Sequence, residues 1–304
     1  MVNSGHWGAG WFLVLSYTKK CDLQRGGQLS FDFSTASDSI TDPLNYFAER
    51  GEDYEKYRPI YPASAINTIL SGVASPSQIN AVDVGAGTGI GARLLADRGV
   101  QVIAIEPNED MRTAATPHPR VEFLAGTAEQ IPLQNGSVDL VTSFQAFHWF
   151  DFDKSLREFQ RILKPCGRLA LIWSFWDQND PISKEYTRLV FAVSQTRQHE
   201  SQSGIPLGKW FKSIRYQLFW QGLWLPCFTN LERHEFKSEQ FLDLPGLIGL
   251  ARSQGFTPSA GKDLEKLIAD LSVFHQRFSN HQGLVRLSYS TRLYIAVSKI
   301  SNYS

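Results

Sequence analysis

Between about residues 79 and 175, short runs of β-branched and apolar residues alternate with longer stretches whose apolar positions recur every three or four residues. The runs Ile79–Val84, Gln101–Glu106, Val121–Leu124, Val138–Phe144 and Arg168–Ser174 predict strands. Ile90–Arg98, Glu109–Ala115 and Phe152–Leu163 predict helices, and in the last of these Leu156, Phe159, Ile162 and Leu163 share one face. Strand and helix in this rhythm imply a parallel sheet with right-handed crossovers. Strands as apolar as A-V-D-V and V-I-A-I suit a sheet covered on both faces. The expected fold class is therefore α/β, a mostly parallel sheet with helices on both sides.

The flanks extend this picture. Pro62–Leu70 predicts a helix whose proline sits harmlessly in the first turn. Residues 180 to about 225 carry clustered aromatics, among them Trp210, Phe211, Tyr216, Phe219, Trp220 and Trp224, without a strand rhythm. They predict helices, read either as a lid over a pocket or as plain helical core. Glu239–Arg252 and Lys262–Phe278 predict two more helices, so about 180–280 is expected to be a helical cap over the substrate region. Leu284–Val297 alternates as V-R-L-S-Y, a turn, then R-L-Y-I-A-V, and predicts a closing antiparallel strand pair within 284–298. One domain over 36–304, with a cofactor-binding core at 79–175, is preferred to two independent domains. Residues 1–35 are expected to be an extension of no predicted role. Its apolar run, Trp7 to Tyr17, is followed rather than preceded by Lys19 and Lys20, the wrong order for a secretory signal.

Composition narrows the function classes. The chain has 304 residues, with 30 basic and 30 acidic side chains. That balance argues against nucleic acid, whose partners usually show a basic surplus. No apolar run reaches the ~20 residues that cross a bilayer, so no membrane partner is expected. The three cysteines, Cys21, Cys166 and Cys227, are far apart and no His/Cys cluster has ligand spacing, so neither a metal site nor a disulfide framework is expected. A reducing, cytoplasmic location fits them.

The candidate chemistry begins at A-V-D-V-G-A-G-T-G-I-G, residues 81 to 91, where a strand delivers Asp83 and runs into Gly85, Gly87 and Gly89 ahead of a helix. Glycines permit positive φ in a sharp turn and let backbone approach a ligand. The following helix turns free N–H groups toward that ligand. Gly87, Gly89 and Ala92 also satisfy the dinucleotide pattern G-x-G-x-x-[GA], with Glu106 some way downstream for a ribose. Asp83 separates the readings, because a carboxylate before the glycines repels a pyrophosphate and favours a cationic or ammonium-bearing ligand. The glycine turn, Glu106 in I-E-P-N, A-G-T-A-E and the turn after the fourth strand all lie at carboxyl ends of strands, the ligand edge of open α/β sheets. Asp139 opens the fourth strand at the opposite edge and reads as structural.

D-V-G-A-G-T-G, I-E-P-N, G-T-A-E-Q-I-P-L, S-V-D-L-V-T-S-F-Q-A-F-H-W-F-D and L-K-P-C-G-R-L-A-L-I-W follow one another in this order. Together they resemble a class I S-adenosylmethionine-dependent methyltransferase, closest to the small-molecule branch with the trans-aconitate and menaquinone or ubiquinone methyltransferases. Y-R-P-I-Y-P at 57 to 62 and L-S-Y-S-T-R-L-Y near the end add to the likeness, which spans roughly 45 to 298. The resemblance implies a Rossmann-like sheet and S-adenosylmethionine as cofactor. It implies that Asp83, Gly85, Ala86 and Gly87 line the methionine moiety, Glu106 holds the ribose, Thr127 and Ala128 border the adenine, and Gln145 stands beside the sulfonium. Relatives often carry an acid where this chain has Thr127, so Glu129 or a backbone carbonyl is the expected substitute.

On the acceptor side, His148 is the histidine next to the site and reads either as a base or as a hydrogen-bonded prop for the loop, through an acid such as Asp151. Trp149, Phe147 and Phe150 read as pocket walls or as core under the next helix. Arg58 suits a substrate carboxylate, or else a surface ion pair; Tyr61 and Arg252 are further candidates for the acceptor. The expected function is methyl transfer to a small-molecule carboxylate or hydroxyl. The alternatives are a nicotinamide-dependent oxidoreductase and a cofactor-binding protein without catalysis.

Overall fold

A computed structural model describes residues 55–73, 75–200, 227–254 and 256–299, of which 194–200 are described by backbone alone. The expectations for residues 1–35 and for the aromatics from Trp210 to Trp224 lie outside the described residues.

Seven strands form one sheet in the order β3-β2-β1-β4-β5-β7-β6. They are β1 (Asn80–Val84), β2 (Gln101–Ile105), β3 (Val121–Leu124), β4 (Val138–Phe144), β5 (Leu163–Trp176), β6 (Phe228–Leu242) and β7 (Val285–Ser298). The first five run parallel, and β7 lies antiparallel between β5 and β6. The helices are α1 (Ala63–Leu70), α2 (Ile90–Ala96), α3 (Glu109–Thr113), α4 (Phe152–Ile162), α5 (Pro181–Glu200), α6 (Leu244–Arg252) and α7 (Lys262–Phe278).

Alternation along the strands builds two cores. On one face Ala81, Val102, Ala104 and Ile172 pack with Ile66 and Ile69 of α1 and Leu95 of α2. On the other, Val82, Val84, Val141 and Leu171 pack with Leu156, Phe159 and Ile162 of α4. A third cluster joins Tyr186 and Val190 of α5, Leu247 and Leu250 of α6, Leu267 and Leu271 of α7, and Leu287 and Tyr289 of β7. The doubly covered parallel core is as the periodicity predicts.

Two elements differ from the sequence expectation. Phe228–Leu242 is a strand within the stretch expected to be a helical cap, and α6 starts only at Leu244, so Glu239–Leu242 are strand residues. The true helix start carries its own signal: the Asp243 side chain accepts from Gly246 N at 2.8 Å and Pro245 stands in the first turn. The strand itself is an edge, buried only at its ends Phe228 and Leu242 and half-buried or exposed between them, with charged residues on it, so its periodicity resembles a polar helix face. The second difference is at the C-terminal end. Val285–Ser298 is one strand without a turn, and it pairs with β6, far upstream. Ser290 and Thr291, which read as the turn, are held inside the ladder by Glu235 and by Ser174 Oγ at 3.1 Å. The antiparallel pair is present, but its members are β6 and β7.

Candidate functional site

The site sits where β1, β2, β4 and β5 end. Asp83 of β1 lies in register with Ala104 and Thr142 and is fully buried. Its Oδ1 accepts from Thr142 Oγ1 at 3.0 Å, while Oδ2 has no hydrogen-bond partner among the described residues. Burial is the main reason its pKa rises to about 7; the hydroxyl of Thr142 and the N–H of Ala92 oppose that rise, and the charge of Glu106 adds to it.

Past Val84 the chain turns sharply, with Gly85, Gly87 and Gly89 at φ of 68°, 58° and 80°. The N–H groups of Gly85 and Ala86 both donate to Ile105 O, at 2.9 and 3.1 Å, which ties the turn to the end of β2. Protein neighbours, rather than a ligand, explain two of these glycines. A Cβ on Gly85 would stand 2.5 Å from Ala146 Cβ, and one on Gly89 2.7 Å from Phe123 Cζ. At Gly87 a Cβ would meet only the flexible tip of Met111, at 3.3 Å, so this position is the open part of the turn. Thr88, beside it, is fully buried and its hydroxyl has no partner among the described residues.

Glu106 faces the turn across the end of β2. Its Oε2 accepts from Gly87 N at 2.8 Å and its Oε1 from Asn108 N at 2.9 Å. Burial raises its pKa, opposed by those two N–H groups and by the charge of Arg112. Arg112 Nη1 in turn donates to the carbonyls of Glu106 and Pro107, at 2.7 and 2.9 Å. Glu106 is thus a latch on the glycine turn as well as a ligand candidate, since each carboxylate oxygen keeps a second lone pair. Sequence reasoning missed Thr142, Asn108 and Arg112; Asn108, two residues after Glu106 in I-E-P-N, was the readable one, since Asn is a good helix N-cap. It caps α3 by accepting from Met111 N at 3.0 Å.

Gln145 follows β4 with φ 58°, an unusual conformation for a residue with a Cβ. Its N–H donates to Ile172 O at 2.9 Å and its Nε2 to Ser174 O at 2.6 Å, so both backbone and amide are fixed against β5. Thr127 is exposed and bridges to Gln130, and Ala128 is buried in the α4-side core. Glu129, one expected substitute for an acid at Thr127, accepts from Asp151 N at 2.8 Å through one carboxylate oxygen.

The turn after β4 holds His148, whose Nδ1 accepts from Trp173 Nε1 at 3.3 Å. That donor places the ring's remaining proton on Nε2. Burial, helped by the charge of Arg58, pushes the imidazole down to about 4, so it is neutral at pH 7. Asp151 is not its prop; it caps α4 by accepting from Lys154 N at 3.1 Å. Phe147 is fully buried against Phe150, Phe152, Phe159 and Trp173 and is core rather than pocket wall. Trp149 is half-buried with its ring 5.1 Å from His148, and Phe150 lies over Gly85.

Of the acceptor candidates, Arg58 reaches the neighbourhood of the site. Its Nη2 donates to Ser253 O at 2.9 Å, and its charge acts on His148, Tyr186 and Tyr289. Tyr61 is buried with its ring 4.9 Å from Phe144, edge to face, and belongs to the core. Arg252 is exposed at the end of α6, and the neighbouring carbonyl of Ser253 accepts from Arg58. A shallow groove among Asn80, Gln101, Arg120 and Ser137 lies at the amino edge of the sheet, away from all of these. Asp139 is also at that edge, where it accepts from Asn80 N and Lys164 Nζ.

Comparison with known proteins fits this arrangement. Residues 82–171 match the family model for a methyltransferase domain. An uncharacterized methyltransferase of Mycobacterium bovis is 31% identical over 247 residues, covering 78% of this chain and 89% of that protein. The chain belongs to the methyltransferase family. The ubiquinone/menaquinone biosynthesis C-methyltransferase of Rubrivivax gelatinosus is 40% identical, but over 30% of this chain and 38% of its own length. A structure assigned as a type II methyltransferase from Anaeromyxobacter dehalogenans shares the fold, with 22% identity, a TM-score of 0.56, and coverage of 80% of this chain and 98% of that one. Family membership supports the methyltransferase reading of the glycine turn: this is an S-adenosylmethionine-dependent methyltransferase. No described helix of the methyltransferase is long and apolar enough to cross a membrane.

Proposed function

We propose that this methyltransferase moves the methyl group of S-adenosylmethionine to a small-molecule carboxylate or hydroxyl, held between the turn after β4 and Arg58. The observation that carries the cofactor half is the buried Asp83 carboxylate, with Oδ2 lacking a donor, next to a glycine turn that Glu106 latches. Such a buried acceptor suits an ammonium group, which satisfies both its charge and its hydrogen bond. Asp83, Gly85, Ala86 and Gly87 would hold the amino-acid moiety, Glu106 the ribose hydroxyls, and Thr127 and Ala128 the adenine. Gln145, fixed through both its backbone and its amide, would stand at the reacting end.

When bound, S-adenosylmethionine supplies an electrophilic methyl carbon on a positively charged sulfur. The protein's own part is alignment and exclusion of water, and positioning of this kind can supply ~7–11 kcal/mol of a barrier. An ionised carboxylate acceptor needs no base. His148 as described favours a donor role: Nδ1 is already accepting, and a neutral Nε2–H can hold an acceptor oxygen. Arg58 offers the matching positive charge for an anionic acceptor.

The test is calorimetric binding of S-adenosylhomocysteine, with NAD and NADP alongside, followed by turnover with carboxylate and phenol acceptors. Saturable binding of the first compound alone is expected. Glu106→Ala should weaken it by ~1.5–3 kcal/mol, the scale of a hydrogen bond to a charged group; unchanged affinity in a folded variant removes Glu106 from the ribose site.

A further inference from the structure

At the sheet's far edge β6 carries no further strand among the described residues, and from Glu232 to Leu242 it keeps an unbroken register with β7. A long edge strand presents a row of unpaired N–H and C=O groups, and charged side chains usually discourage other strands from using it. Here the charges are not scattered. Outward from Phe236 the chain reads Glu235 and Lys237 at one step, Arg233 and Glu239 at three, and Leu231 and Phe241 at five. The four charged residues are exposed. Phe241 is 51% exposed, among the few large apolar side chains so open to solvent in the described residues.

We propose that β6 pairs antiparallel with the β6 of a second copy of the chain, about a two-fold axis through Phe236, so that one sheet runs across the dimer. A two-fold axis perpendicular to the sheet keeps each copy's two faces aligned, so residues equidistant from the axis oppose each other on the same face. Centred on Phe236, Glu235 opposes Lys237 and Arg233 opposes Glu239. By symmetry each of these pairs occurs twice. The adjacent registers fail. Centred on Glu235, that residue faces its own copy and Arg233 faces Lys237; centred on Lys237, that residue faces its own copy and Glu235 faces Glu239. Like charges directly opposite destabilise a ladder and opposite charges support it, so the charge pattern admits one register and blocks its neighbours. The intrachain partners survive the pairing: Lys237 bonds Asp177 at 2.9 Å, and Glu239 bonds Arg286, each leaving donor or acceptor capacity for a partner.

The experiment measures the mass of the full chain by light scattering after size exclusion, and its dissociation constant by sedimentation, at micromolar concentrations. A dimer is expected. Arg233→Glu places two glutamate pairs in the homodimer and Glu239→Arg places two arginine pairs, so each should raise the dissociation constant roughly tenfold. An equimolar mixture of the two restores every opposite-charge pair and should dimerise like the wild type. Lys237→Glu mixed with Glu235→Lys repeats the test at the inner positions, should either outer variant fold poorly by circular dichroism. A monomeric wild type, variants that dimerise as tightly as the wild type, or folded monomeric variants that do not recover on mixing would each overturn the proposal.

Discussion

Asp83 shows how one buried side chain couples folding to ligand binding. The folded chain holds a proton on it up to about pH 7, whereas the unfolded chain releases that proton near pH 4. Its contribution to stability is therefore greatest below about pH 4 and declines as pH rises toward 7. A cation arriving beside it would drive the proton off. Binding of S-adenosylhomocysteine at pH 7 should then release a fraction of a proton, read as a dependence of calorimetric heat on buffer ionisation enthalpy, and Asp83→Asn should abolish that dependence. Heat independent of buffer in the wild type would mean that the ligand's ammonium does not face this carboxylate. His148 behaves in the opposite sense. Its folded pKa near 4 means that the unfolded chain gains a proton below about pH 6.5 while the folded one does not, so its contribution to stability falls as pH drops through that window. Its ring resonances in an NMR titration should not move between pH 5 and 8. A midpoint inside that range would return it to the role of base. The sequence placed His148 beside the site but could not assign its state, because Trp173, the donor that fixes the tautomer, comes from another strand 25 residues on.

At the level of elements, the glycines of the first βα turn serve packing as much as binding. Gly91 in α2 is buried, and a Cβ there would fall 2.2 Å from Phe144 Cδ2 on β4. Gly91→Ala should destabilise the protein by ~1–3 kcal/mol, the usual cost of overpacking, measured by thermal or denaturant unfolding followed by circular dichroism. An unchanged midpoint would show that α2 is free to move off the sheet. The local elements were legible where local and tertiary preferences agree. Val121–Leu124 and Val138–Phe144 are strands with the bounds that their β-branched runs predict. The reading failed at β6, where a charged edge strand gains its conformation from pairing with β7, more than 40 residues later in the chain.

For the molecule as a whole, the hydrophobic clusters among the described residues put the strand ends, the glycine turn and the turn after β4 on one sheet edge. A ligand that binds only this folded arrangement stabilises it by mass action. At a concentration one hundred times its dissociation constant, S-adenosylhomocysteine should add roughly 2.7 kcal/mol, visible as a raised melting temperature, while NAD should add nothing. A shift with NAD alone would contradict the assignment of the cofactor.

The sequence by itself determined the parallel core, the place of the glycine turn, Asp83 and Glu106 at the strand ends, and the family, because short-range periodicity and spaced motifs are local properties of a chain. Only the tertiary structure decided that Phe147 and Tyr61 are core, that Glu106 latches the turn, that Glu129 serves Asp151, and that β7 is a single strand between β5 and β6. Each of those facts depends on which distant backbone or side chain completes a hydrogen bond or fills a space. That choice is made by packing between segments far apart in the chain, which no local pattern encodes.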